Sequence, residues 1–282
     1  MKAVCNVCCH HCALEEGQFG ACGARRNSGG RVTAANYGRL TALALDPIEK
    51  KPLARFYPGT RILSVGSYGC SLSCPFCQNH EIAAAGKNAE EKLEIAAYSP
   101  QELCDLAAGL KNRNNIGIAF TYNEPLVGWE FVRDTAELFH RRSMKTVLVT
   151  NGMASQEILE QILPYIDAMN IDLKGFTQEF YRDFVHGDLE MVKQFIVTAS
   201  GKCHVELTKL IIPDQNDSEE EMHRMAEWIA SLHGGKGRAI PLHVSRYFPR
   251  YRWTAPATKI ETVYRLAQAA REHLDYVYTG NC

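Results

Sequence analysis

The sequence has no long hydrophobic run. No stretch of its 282 residues approaches the roughly 18 consecutive apolar residues that a membrane-spanning helix needs. No apolar segment follows Lys2 in the N-terminal MKAVCNVCCHHC, so no secretory leader is read there. Net charge is also nearly absent. The 31 Lys and Arg against 32 Asp and Glu leave −1, which argues against a general binder of nucleic acid or anionic lipid. There is no internal repeat and no low-complexity tract. These absences leave a soluble, cytoplasmic protein with no membrane partner as the expectation. The 46% of hydrophobic residues supply ample material for a core.

What the chain does have is cysteine, eleven in all, unevenly spread. Five fall within residues 5–22 and three within 70–77. Cys104, Cys203 and Cys282 stand apart, the first two as core residues and the last as a chain end. In a reducing compartment such clusters are not expected to be disulfides. Their short spacings point to metal or iron–sulfur ligation.

Residues 1–58 are irregular, with NSGGR, DPIEKKP and FYPGT. They read as a Cys-rich N-terminal metal-binding module followed by a connecting arm. From residue 59 to 282 the chain alternates. Short apolar runs at 61–67, 116–121, 145–150, 168–173, 204–212 and 238–244 read as buried parallel strands. Between them lie amphipathic helical patterns, several with start signals at Ser99-Pro100, Ser155 and Ser218. DYVYTG forms a short last strand. Six βα units make an α/β fold, a partial (β/α)6 TIM-like barrel.

Each predicted strand runs at once into chemically unusual residues. These are Cys70, Cys74 and Cys77, then TYNEP (121–125), TNG (150–152), DLKG (172–175), IIPDQND (211–217) and HVSRYFP (243–249). In barrels, ligands gather at the C-terminal ends of the strands. These segments therefore define one site with the three cysteines in it. A closed structural metal site fills every coordination position, and a catalytic one leaves a position open. Three thiolates on a four-iron cluster leave one iron free, and Phe76 is placed to wall the site. A zinc site completed by His80 is the rival reading. At the N-terminus, Cys5, Cys8, Cys12 and Cys22 match four-thiolate ligation, which both zinc and a [4Fe–4S] cluster accept. Cys9, His10 and His11 are substitute ligands there.

The run Cys70-Ser-Leu-Ser-Cys74-Pro-Phe-Cys77 resembles the Cys-x3-Cys-x-aromatic-Cys signature of the radical S-adenosylmethionine (SAM) superfamily. That resemblance implies a [4Fe–4S] cluster whose open iron binds SAM, and reductive cleavage to a 5′-deoxyadenosyl radical. It also implies a one-electron donor such as a ferredoxin or flavodoxin. Asn123 and Glu124 fall where the family has a Gly-Gly-Glu-Pro-like motif touching the methionyl ammonium, with the glycines replaced here. Asn151, Asp172 and Lys174 resemble residues that hold SAM's ribose and carboxylate in the activating-enzyme branch, and His243 is similarly placed. More narrowly, Cys5-x2-Cys8-x-His10-x-Cys12 with Gly17-x2-Gly20-x-Cys22-x2-Arg25, ALDPIEKKPL, AFTYNEP and HVSRYFP are similar to the AmmeMemoRadiSam system radical SAM enzymes, relatives of pyruvate formate-lyase activating enzyme. The resemblance implies a further cysteine pair after the last strand, which the sequence through Cys282 does not contain.

Plainer readings stand beside these. Glu124 would serve as an acid opening a helix at Pro125. Asp172 and Lys174 alternate along a strand and would pair with each other. His243 would be a satisfied barrel histidine. Tyr247, Arg250, Tyr251 and Arg252 suit a lid or partner surface, or an RNA-stacking patch. For function, glycine hydrogen abstraction in a partner protein competes with radical modification of a small molecule, peptide or RNA. A non-enzymatic metal-binding or electron-transfer protein is the reading from another class.

Overall fold

In the computed structural model, which describes residues 1–282, the expected strands form one sheet. Seven run parallel: β2 (Arg61–Gly66), β3 (Asn115–Phe120), β4 (Lys145–Thr150), β5 (Ala168–Asp172), β6 (His204–Ile211), β7 (Leu242–Arg246) and β8 (Val277–Gly280). They are hydrogen-bonded in chain order and the sheet is open at its ends. An eighth strand, β1 (Ala42–Pro47), pairs antiparallel with β2. Residues 42–47 were expected in a connecting arm. They are instead an edge of the barrel sheet, continuous with residues 59–282.

The crossovers carry the helices: α1 (Pro100–Gly109), α2 (Trp129–Arg141), α3 (Gln156–Ile162), α4 (Leu189–Ser200), α5 (Glu219–Gly235, broken at Leu232–Gly234) and α6 (Ile260–Arg271). Each is apolar on one face. In α2 the buried set is Phe131, Val132, Thr135, Ala136 and Phe139, the spacing of one helical stripe. Ser99 starts α1 with a full capping box to Glu102, and Ser218 caps α5. Ser155 stands at the start of α3 without a capping bond. Asp188 caps α4 by accepting from the Met191 N–H at 2.8 Å, a start not read from sequence. No helix is long and apolar enough to cross a membrane.

The arm after β1 turns under the barrel and plugs it. Ile48, Leu53 and Phe56 pack against Ile62, Ala119, Val147 and Ala168. Pro52 O accepts from Asn170 Nδ2 at 2.8 Å. Successive side chains of β6 alternate between faces. Lys209 turns outward to pair with Glu221 of α5, while Glu206 turns into the barrel, fully buried. Its carboxylate accepts from the Ala54 and Arg55 backbone N–H groups at 2.9 and 2.7 Å. It also meets His204 Nε2 at 2.9 Å and His243 Nε2 at 2.7 Å. Burial alone would raise this carboxyl; the histidines and the two N–H groups outweigh it and hold it down to about 2.

A carboxyl depressed in the fold contributes stability above its unfolded value, and that contribution is lost as pH falls toward the folded value. Glu206→Gln should therefore lower unfolding stability at pH 7 by about 1–3 kcal/mol, the cost of leaving buried donors unpaired. The gap between variant and wild type should narrow toward pH 3. Denaturant titrations at the two pH values check both outcomes.

Candidate active site

The loop after β2 carries the three cysteines to the C-terminal rim of the sheet. There they line a cleft of about 1210 Å³ including its mouth. Cys70, Cys74, Phe76, Cys77, Asn123, Glu124, Asn151, Asp172 and Lys174 all face it. Nine of the ten barrel residues expected from sequence are thus brought together. The tenth, His243, is not. Its bond to Glu206 and its stacking on Tyr278, with ring centroids 5.3 Å apart, use it to seat the plug, and the cleft-lining residue of β7 is Ser245.

The thiols have no cation that matches their number. Burial, then the charge of Glu124, pushes Cys70 well above the ordinary thiol range. Burial raises Cys74 to about 12, with Lys174 opposing it, and burial raises Cys77. A bound cationic group would favour the thiolates that such burial disfavours. No three ligand atoms among Cys70, Cys74, Cys77 and His80 lie within 4.8 Å of one another. Zn–S bonds of about 2.3 Å would draw tetrahedral thiolates to about 3.8 Å. His80 instead stacks on Tyr251 at 4.4 Å. The donor set fits a multi-iron cluster with three thiolate ligands better than one zinc ion.

Glu124 is buried. Its oxygens accept from Leu126 N at 3.0 Å, Thr150 Oγ1 at 2.8 Å and Asn151 N at 2.7 Å. It does open the turn at Pro125, but from inside the cleft. Burial raises its carboxyl to about 7, against the lowering by those donors. Asn123 braces the cysteine loop, accepting from Ser67 N at 2.9 Å and donating to Gly69 O at 3.0 Å. Asn151 Nδ2 lies 3.1 Å from Ser71 Oγ and 3.7 Å from Cys70 Sγ. Asp172 and Lys174 are paired at 3.0 Å. Burial alone would lower the Lys174 ammonium, but Asp172 and Cys74 hold it above its ordinary value.

Phe76 is buried and stacks on Phe184 at 5.6 Å. Phe184 lies in a π-helix, Phe180–Val185, a form that recurs at functional sites. Residues 247–258 form a strap. Tyr247 is buried, its hydroxyl donating to Trp253 O at 2.7 Å. The Arg252 and Trp253 N–H groups hold Pro75 O at 2.9 and 3.0 Å. Tyr247 and Tyr251 thus serve internal packing, and Arg250 and Arg252 stay exposed.

Lys50 and Lys51 also line the cleft, beside Tyr122 of TYNEP, and were not expected there. Tyr122 donates to Asp46 Oδ2 at 2.7 Å, and Lys51 Nζ, 3.0 Å from the same oxygen, sits 4.7 Å from the Tyr122 ring centroid. Their signal lay in DPIEKKP and TYNEP, but only the β1–β2 pairing carries the first motif to the second. Elsewhere, His223 and His273 meet near Glu272 on the outside of α5 and α6. Their ring nitrogens are hydrogen-bonded to each other at 3.1 Å.

The N-terminal cysteines gather on the same rim. A hairpin of Ala3–Val4 with Ala13–Leu14 and the Cys5 N–H to Cys12 O bond at 2.9 Å close the first knuckle. Burial raises Cys8 to about 12, and the charges of Cys9, Cys22 and Cys5 add to it. Cys22 is raised by burial as well. Arg25 anchors the module with paired bonds to Glu130 at 2.9 and 2.7 Å, and Ser155 N donates to Val7 O at 2.8 Å. Gly69, at φ +90°, passes so close to it that a Cβ would lie 2.6 Å from Ala24 Cβ and 2.7 Å from Cys22 O.

Gly69→Ala should therefore lower the iron that the chain retains after anaerobic loading and desalting. Gly59, at φ +80° with nothing within 4 Å of a Cβ, carries the same backbone cost of about 1–3 kcal/mol without the clash. Gly59→Ala should retain wild-type iron, and iron per chain measures both.

The family model for the radical SAM superfamily matches residues 64–229. An uncharacterised protein of Methanocaldococcus jannaschii is 38% identical over 283 residues, covering 99% of this chain and 81% of that one. Pyruvate formate-lyase 1-activating enzyme of Escherichia coli is 23% identical over 206 residues, 70% of this chain and 79% of that one. A crystal structure of a radical SAM methyltransferase from Sphaerobacter thermophilus superposes with a TM-score of 0.57 at 15% identity, over 79% of this chain and 67% of that one.

Proposed function

This chain belongs to the radical SAM superfamily, a class of enzymes that use a [4Fe–4S] cluster and SAM, and on that premise we propose that it abstracts hydrogen from a glycine of a partner protein. The observation that carries the radical reading is three half-buried cysteines beside buried Glu124 in one cleft, with no fourth thiol. The relatives named as pyruvate formate-lyase and 4-hydroxyphenylacetate decarboxylase activating enzymes, 23% and 24% identical, support the glycine target. A [4Fe–4S] cluster held by Cys70, Cys74 and Cys77 would supply the one-electron reduction that cleaves SAM to methionine and a 5′-deoxyadenosyl radical, with a ferredoxin or flavodoxin as the donor.

The chain's own residues do the rest. Cys70, Cys74 and Cys77 hold the cluster. Glu124 meets the methionyl ammonium, a charge-assisted bond strengthened by burial. Lys174 faces the methionyl carboxylate while Asp172 keeps it charged and oriented. Asn123 fixes the loop, and Asn151 bonds Cys70. Phe76 and the strap exclude water on the Pro75 side, so that the radical is held near its target. At the N-terminus, Cys5, Cys8, Cys12 and Cys22 hold a second [4Fe–4S] cluster in preference to zinc. No three of those sulfurs lie within 4.8 Å of one another either.

After anaerobic reconstitution and dithionite reduction, wild type should convert SAM to 5′-deoxyadenosine. Cys74→Ala should fall to the protein-free background. Correctly loaded wild type that makes none would sink the proposal. Cys8→Ala should lose the N-terminal metal alone, and zinc in place of iron in wild type would overturn the second cluster.

A carboxyl raised to about 7 must lose its proton to receive an ammonium. SAM affinity should therefore climb as pH rises from 6 to 8, changing by up to about tenfold per unit below 7. Glu124→Gln should flatten that climb and weaken binding at pH 8 by about 10–100-fold, the worth of a charged hydrogen bond. Equilibrium dialysis at the two pH values reads both.

A further inference from the structure

The N-terminal module and the barrel's cysteine loop touch at residues adjacent to their ligands. Cys22 O lies so near Gly69, next to Cys70, that a Cβ there would be 2.7 Å from it. On the other side His10, between Cys8 and Cys12, places Nε2 2.7 Å from Ser71 O. A carbonyl oxygen only accepts, so Nε2 carries the proton and donates. Ser71 is itself buried, and its hydroxyl is paired with Asn151 Nδ2 at 3.1 Å. The same Nδ2 is 3.7 Å from Cys70 Sγ. The amide cannot turn over freely, because Asn151 Oδ1 accepts from Met153 N at 2.9 Å. Its backbone N–H is tied to Glu124 at 2.7 Å. Hydrogen bonds joined through Ser71 and Asn151 themselves thus run from the N-terminal knuckle to a sulfur of the barrel site and to the carboxylate beside it.

We infer that His10 is a positioning residue for Cys70, joining the N-terminal thiol module to the radical site through Ser71 and Asn151. The inference rests on the proposed radical function, because it assigns Cys70 to the reacting cluster. Hydrogen bonds to ligand sulfurs set the potential of an iron–sulfur centre, and partners that orient ligands are worth about 10–100-fold in affinity or activity. His10 touches neither substrate nor cofactor. It holds Ser71 where Asn151 can bond Cys70 and Glu124 together. The N-terminal module is thereby a buttress of the barrel site, and on the Ser71 side one imidazole N–H ties the two together.

The test uses the reconstituted full chain as wild type, His10→Leu and His10→Gln. Glutamine carries an N–H donor to nearly the place of Nε2; leucine carries none. Metal content, the midpoint potential and the electron paramagnetic resonance spectrum with and without SAM are read for each. A variant lacking Cys70, Cys74 and Cys77 supplies the N-terminal site's own spectrum for subtraction. His10→Leu should keep its metal but show a more negative barrel-site potential, an altered SAM-induced spectral change and about 10–100-fold less 5′-deoxyadenosine. His10→Gln should restore all three. A His10→Leu potential and spectrum matching wild type would overturn the inference, as would a His10→Gln variant no better than His10→Leu. A wild-type spectrum indifferent to SAM would strike the proposed function instead.

Discussion

Buried irregular backbone has no ladder of its own, so each N–H and C=O must find a partner elsewhere. Residues 67–77 are such a stretch, and the architecture of the rim follows from satisfying them. Ser67 N and Gly69 O go to Asn123. Tyr68 O accepts from Asn36, Gly69 N donates to Ile82 O, and Ser73 N to Val185 O. Ser71 O accepts from His10. Pro75 O takes two N–H groups from the strap. The N-terminal module, the segment after β3, the π-helix and the strap each contribute, and none of them neighbours the loop in sequence.

The same crowding sets the charge balance of the cleft. Buried Glu124 and three half-buried thiols share the cleft, and their neighbour Lys174 is already matched by Asp172. A carboxyl near 7 and thiols pushed upward are the marks of groups desolvated ahead of the cations they are built to meet. On the proposed function, iron would answer the sulfurs and an ammonium the carboxylate, so that one cleft would suit both cluster and SAM. Deep in the barrel the reverse holds. Glu206 is given all its partners by the chain itself and stays ionised.

Much of this was legible from the alternation of apolar runs with helical patterns, because parallel strands covered on both faces leave a continuous apolar signature. The ends of those runs marked the rim, and nine of the residues expected there line the cleft. Four things were not legible. β1 is amphipathic at best, with buried Asp46 inside it, and its strand state depends on pairing with β2. His243 sits on β7 level with Thr208, which does line the cleft, but its ring is drawn to buried Glu206, and a partner 37 positions away leaves no local pattern. His10 read as a spare ligand, since a hydrogen bond to Ser71, 61 positions away, leaves no local pattern. Lys51 and Tyr122 met only through tertiary pairing. Local propensity finds elements; it does not find which loop closes over which.

The strap gives the site a history as well as a shape. Pro75 is covered by residues 252 and 253, which a ribosome adds more than 170 positions after it, at about 5–20 residues per second. Until then the sulfur-bearing loop lacks one wall, and contacts of such sequence separation form slowly. The three thiols therefore spend an appreciable interval, on the order of ten seconds or more at that pace, reachable from outside during synthesis. The wall over Pro75 is thus added after every cleft-lining residue but Asn281 has been made.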